Sequence, residues 1–288
     1  LLFPSKAVPY LMAPLLMLNI APAAVTGCAY IKRFVANSNY AVIGGLLYAF
    51  SGYSIYNIFF NHFHEVIAIF PLLLIAMEEF MVNGRRGQFA LAVGLCAFVN
   101  YYFFFGEVIF CVLYFIFRCV NALEAVLGLL LSCCLLLPAL MAIVDNPRTS
   151  NFLFGWNGIF YGNVQRYGLI FSSFFFPPDI PAYPNFFPDS NAKWSSVSAF
   201  LPLFSMSGVL AFFKGCKRHW AKALLGVCVL IAFVPFLNSA FSAFNSSYYA
   251  RWFFMFVLIM AMMTAVALER YREEFKFGIK WTLIITLC

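Results

Sequence analysis

Apolar runs that are nearly free of charge recur from about residue 8 to the end of this chain, and no other feature narrows its possible folds so far. A bilayer's hydrocarbon core is ~30 Å thick, so a spanning helix needs ~20 apolar residues. Inside that core every backbone donor and acceptor must be satisfied within the protein, which leaves closed barrels or helices. The runs here are long and continuous rather than alternating, so they predict helices. Composition agrees, with 64% hydrophobic and 10% charged residues, whereas soluble domains run near ~45–50% and ~25%. Soluble classes are thereby excluded. Aromatic residues make up 20% of the chain, including 38 Phe, which suits lipid-facing surfaces and interfacial belts. The expectation is an all-α polytopic transmembrane protein, with residues 1–288 forming a single transmembrane domain. The chain opens on Leu1 and stops within an apolar run, so it reads as a fragment lacking both ends.

Taken in order, spans are predicted near 8–31, 40–60, 66–82, 88–103, 104–119, 123–140, 199–213, 221–238 and 252–268, with a truncated one over 279–288. The pair 88–119 also reads as a broken or re-entrant element around 100–107. Short cytoplasmic loops are enriched in Lys and Arg. With Lys32 and Arg33 inside, strict alternation puts 13 of the 18 basic residues inside, and only Lys6, Arg148, Arg166, Lys193 and Arg251 outside. The net charge of +7 is therefore spread over short loops, and a nucleic-acid partner is excluded, since that would need one basic face. The long outer loop, 145–198, carries six prolines among many Phe, Tyr and Asn residues, plus Trp156 and Trp194. A disordered linker is poor in aromatics, so this loop is expected to fold back on the membrane surface.

The polar island 61–65, read as Asn-His-Phe-His-Glu, sits between two apolar runs and anchors the search for chemistry. With it on the outer face lie 100–107, Asp145 to Arg148, and 238–251. His62 and His64 can carry protons or pair with phosphate, and Arg148 and Arg251 can clamp one. Asn100, Tyr101 and Tyr249 can contact a bound substrate. Glu65, Glu107 and Asp145 are the candidate general bases, if partial burial tunes them. Each has a plainer reading too. The two histidines lie two apart and do not share a helix face, and a helix-end role suits them equally. Arg148 and Arg251 stand at span ends, where such residues anchor or snorkel. Glu107, between apolar runs, is the one whose exposure to lipid would cost most. The nine cysteines sit mostly inside apolar runs with no CxxC or Cys/His metal spacing, so they read as structural thiols and no metal is implied. Soluble catalytic motifs such as a P-loop, GxSxG or HExxH are absent from the sequence.

Several segments, in order, resemble the YfhO family of bacterial membrane proteins. They are LLYAFSGY at 46–53, the His-bearing tip with FPLLLIAMEE at 70–79, NYYFFFGE at 100–107, LYFIFR at 113–118, LLLPALMAIVDNPR at 135–148 and SSYYARWFFMF at 246–256. The resemblance covers most of the chain. It implies a GT-C-like multi-span helical bundle with a long outer loop, in the bacterial plasma membrane. It also implies a glycosyltransferase that takes a sugar from a polyprenyl-phosphate donor and gives it to a cell-envelope polymer acceptor such as lipoteichoic acid. In such enzymes the principal catalytic aspartate lies in the first outer loop, expected upstream of Leu1, so Glu65, Glu107 and Asp145 stand second to it. No cofactor can be read from the residues. The alternative is a transporter or flippase of lipid-linked or amphipathic substrates, with Glu107 lining its pathway. The near absence of charge from the spans' interiors favours the enzyme.

Overall fold

The computed structural model describes residues 8–85, 87–118 and 155–287. Among them every regular element is a helix. The order is α1 (Val8–Ile31), α2 (Ser38–Ala49), α3 (Gly52–Tyr56), α4 (Asn61–Asn83), α5 (Gln88–Val99), α6 (Tyr101–Arg118), α7 (Trp156–Ile159), α8 (Gln165–Ser172), α9 (Met206–Gly215), α10 (Trp220–Phe233), α11 (Pro235–Ala240), α12 (Phe253–Arg270) and α13 (Phe275–Leu287), with a 3-10 turn at Arg272–Glu274. Among the described residues, three stretches are long and apolar enough to cross a bilayer: Ala13–Ile31, Tyr101–Arg118 and Phe253–Arg270. The span predicted at 123–140 lies outside the described residues, as do Asp145 and Arg148.

The bundle is organised around α12. Its residues from Phe253 to Ala267 are buried on every side, as expected of a helix that is apolar all round. Helices α2, α9 and α10 pack along it, and α1 packs against α2 and α4. Close approach between α9 and α13 depends on Gly278, where a Cβ would fall 2.0 Å from the Ser207 carbonyl oxygen. Proline inside a helix removes one amide and frees the carbonyl four residues earlier. In α4, Pro71 frees the carbonyl of Ile67, and the Tyr48 hydroxyl of α2 donates to it at 2.9 Å. The Thr26 hydroxyl of α1 reaches the next carbonyl, Ala68, at 2.8 Å. The two contacts bind three helices at the proline, where a membrane helix needs substitute partners.

Charged residues gather at one end of the bundle, called here the basic end. Glu79 pairs with Arg33 and, at 3.4 Å, with Arg85. Glu78 takes two bonds from Arg118, at 2.9 and 3.2 Å, and one from the Tyr114 hydroxyl at 2.6 Å, with Tyr30 behind it. Lys214 meets Glu274 at 2.8 Å, and Glu269 caps the amides of Ala36 and Asn37. Basic residues from four separate connections thus share one end.

The opposite end is made by the 155–204 segment. Residues 191–204 form a strap that threads under α3 rather than a free loop. Gly52 donates to the Phe200 carbonyl at 2.7 Å, Ser196 to Asn57 Oδ1 at 2.7 Å, and Ala250 to the Ser195 carbonyl at 2.8 Å. The strap takes the left-handed conformation at Asn191, Trp194, Ser196, Leu203 and Phe204. Non-glycine residues hold that region only when their surroundings fix them. The strap replaces the first half of the helix predicted at 199–213, and α9 begins only at Met206. Its passage also breaks the run predicted at 40–60 into α2 and α3, because a Cβ at Gly52 would lie 2.4 Å from Ser198 Oγ. Two further breaks follow local rules. Asn100 stays extended and accepts from the Tyr102 amide at 3.2 Å, starting α6. Val234 is extended ahead of Pro235, which separates α10 from α11, as the residue before a proline prefers.

Candidate functional site

At the loop end, three of the segments singled out from sequence converge on one side chain, Arg251. The guanidinium carbon lies 4.0 Å from the ring centre of Tyr249, 5.3 Å from that of Phe63 and 5.3 Å from that of Tyr102. Phe63 comes from the first turn of α4, Tyr102 from the first turn of α6, and Tyr249 from the connection before α12. Rings held against a guanidinium attract it through their quadrupoles, more strongly where water is excluded. No ion pair among the described residues reaches Arg251. Its Nε and the Tyr102 hydroxyl are both enclosed and make no hydrogen bond of ordinary geometry, although the hydroxyl lies against Arg251 itself and Asn245. A half-buried cation without a carboxylate partner, beside a phenol that can also donate, is what an incoming oxyanion would complete.

The scaffold beneath this cage is strict. The Tyr53 hydroxyl donates to the Arg251 carbonyl. Asn238, buried in α11, donates to the carbonyls of Ser247 (2.7 Å) and Tyr249 (3.0 Å) and accepts from the Trp252 indole at 2.7 Å. The aromatic segment is thus set on both sides of Arg251 by side chains distant in sequence.

A second guanidinium, Arg166 of α8, lies close by and is 1% exposed. It donates to the Tyr248 carbonyl, to Ser195 Oγ at 3.3 Å and to the Asn191 carbonyl at 3.5 Å, between the rings of Tyr161 and Tyr248. Burial pulls its pKa below the ordinary arginine value, while Tyr161, Tyr56 and Tyr248 act in the opposite sense. Burial likewise pushes the Tyr161 phenol up to about 12. With its Nη groups committed to carbonyls and a hydroxyl, Arg166 ties the loop to the 248–251 segment. Sequence reading treated it as one outer basic residue among five. The neighbouring tyrosines at 161 and 167 were the available signal, but nothing in spacing linked them to Tyr248.

The remaining sequence candidates fall at varied distances from this cage. Asn100 sets the start of α6 and so positions Tyr102. Tyr101 points outward, 84% exposed. His62 is exposed and packs edge-on against Phe60 and Phe63. His64 is buried, with Nε2 3.0 Å from the Ser54 carbonyl and Nδ1 3.4 Å from that of Phe60, so it joins α4 to α3. Glu65 faces solvent. Glu107 lies deeper along α6, 1% exposed, and its Oε1 has no partner among the described residues. In the loop after α8 Asp179 is held below its ordinary pKa: slight burial raises it, and the amides of Asn185, Phe186 and Ile180 outweigh that together. Its carboxylate closes a loop and sits on the wall of a cavity of about 140 Å³ lined also by Phe176 and Phe186. No cluster of three or more metal-ligating side chains occurs among the described residues.

Comparison with curated proteins finds no match, and comparison with solved structures finds none either. The family model described as bacterial membrane protein YfhO matches residues 1–288. The helical bundle, its membrane-length helices and that full-length match lead to one conclusion: this chain belongs to the YfhO family of bacterial membrane proteins.

Proposed function

We propose that this protein is a membrane glycosyltransferase of the GT-C type, moving a sugar from a polyprenyl-phosphate carrier to a cell-envelope acceptor such as lipoteichoic acid on the outer face. The observation that carries the reading is the Arg251 cage, a guanidinium with aromatic walls and no carboxylate partner among the described residues. In single displacement the acceptor oxygen attacks the anomeric carbon as the bond to the carrier phosphate breaks. The phosphate leaves with the bonding electron pair, and Arg251 stabilises the charge that develops on it. Tyr102 can donate its hydroxyl to the same oxygens, and Tyr249 and Phe63 keep water from the guanidinium. The acceptor's proton goes to a carboxylate, for which the principal aspartate of the family's first outer loop is the leading choice and Glu65, Glu107 and Asp145 the reserves. A photoreactive polyprenyl phosphate should label the full-length protein near Arg251, and Arg251→Ala should lose most of that labelling. Equal labelling of both proteins would remove Arg251 from the phosphate site.

One observation favours a second reading, a carrier of lipid-linked substrates. Glu107 is buried in a membrane-length helix with an unpaired oxygen, and ionisable groups so placed often mark a pathway. The two readings separate on Glu107→Gln. A carrier shows acceptor-independent movement of its lipid-linked substrate across a proteoliposome and loses it on that substitution, whereas an enzyme shows no such movement in the wild type.

A further inference from the structure

The basic end is uneven around its rim. On the side built by α1, α4 and α6, the bases Arg33, Arg85 and Arg118 are answered by Glu78 and Glu79, and Lys32 is the one exposed base without an ion pair there among the described residues. On the side built by the α9–α10 connection and the start of α13, Glu274 is taken by Lys214. Lys222 is spent on the carbonyls of Phe213 and Cys216, which fixes the shape of the connection. Lys217, Arg218, Lys276 and Lys280 are exposed there without an ion pair, and Glu273 is the acid left beside them among the described residues. Placement of positive charge at one end of a membrane protein would be met by any distribution around the rim, so this one-sidedness calls for its own cause.

The geometry points to a site for anionic phospholipid headgroups on this side of the basic end. Helix α13 runs antiparallel to α9, with Lys214 near Glu274 and Gly278 against Ser207. Lys280 and Trp281 therefore lie about one turn deeper than Lys276, at the depth where aromatic belts and snorkelling lysines meet headgroups. The Phe277 and Trp281 rings are 6.1 Å apart, and Lys214 covers Phe277 at 4.9 Å. Trp281 is left 44% exposed beside the free lysines. An acidic headgroup thus finds several cations around an aromatic anchor, and basic residues near a membrane surface enrich acidic lipid severalfold each.

The test uses full-length protein in nanodiscs of equal size, with either brominated phosphatidylglycerol or brominated phosphatidylcholine as the minor component. Trp281 quenching is isolated by subtracting Trp281→Phe. Phosphatidylglycerol should quench Trp281 as though enriched about fivefold, falling towards parity in high salt. Replacing Lys217, Arg218, Lys276 and Lys280 together by Gln should abolish the preference. Equal quenching by the two lipids in the wild type overturns the proposal, as does a preference that survives the fourfold replacement. The wild-type salt series decides alone if that variant does not accumulate. None of these readings involves sugar transfer, so they stand or fall apart from the function proposed above.

Discussion

Two arginines at the loop end show how much a residue's role depends on what already satisfies it. Arg166 donates to two carbonyls and a hydroxyl, so its charge is committed to holding the loop in place. Both lie among rings with an enclosed Nε that nothing accepts from, but no carbonyl takes a bond from the Arg251 guanidinium among the described residues. The sequence marked Arg251 as a span-end residue that could bind phosphate or merely anchor, and only the packing of three distant segments distinguishes it from its neighbour. At the other end, His219 is a residue whose state sets stability. Its Nδ1 accepts from the Ala221 amide at 3.2 Å as the N-cap of α10. Burial lowers its pKa below 6.5, and the charges of Arg118, Arg270 and Lys222 lower it further. The folded state therefore binds fewer protons there than the unfolded chain, so this stabilisation is complete above the unfolded value. It is lost as pH falls from that value through the folded one. The melting temperature should accordingly drop between about pH 7 and pH 5, and His219→Asn, which keeps an N-cap acceptor, should reduce the drop. An unchanged slope in the variant would show that other groups control it.

Among the elements, the long apolar runs were legible because length and lack of charge suffice to call for a helix in lipid. Helix α12 fills its predicted run almost to the residue. The breaks were harder to read, because they are set by contacts between distant segments. Nothing local to 40–60 announces that the strap's Phe200 carbonyl will accept from the Gly52 amide. The polar island at 61–65 is similar: it reads as a hairpin tip but folds as the first turn of α4, with His64 turned inward to α3. Pro71 was visible in the sequence, but its repair by Tyr48 was not. Tyr48→Phe removes that hydroxyl while keeping the ring, so the Ile67 carbonyl loses its partner in the core. A loss of about 1–3 kcal/mol follows from leaving a buried acceptor unpaired. Reversible unfolding in detergent should register it as a lower midpoint. No change would mean that α4 satisfies Ile67 by other means.

Over the whole molecule, the separation of a charged end from an aromatic end was foreshadowed by the spread of Lys and Arg over short connections. The folded bundle brings those connections together. With the basic end taken as cytoplasmic, a cysteine replacing exposed Asp189 should react with an impermeant thiol reagent from outside intact cells. Native Cys216, at the basic end, should react only after permeabilisation. The reporter belongs at Asp189 because its neighbour Ser190 is fully buried, and the reverse pattern would invert the orientation. The most direct test of the account is sugar transfer by the full-length protein in proteoliposomes, from a labelled polyprenyl-phosphate sugar to acceptor membranes. Wild type should transfer label, and Arg251→Ala should slow that transfer by about 10²–10³-fold, the size of one lost transition-state donor. Transfer that is absent from the wild type, or equal in the two proteins, would contradict it.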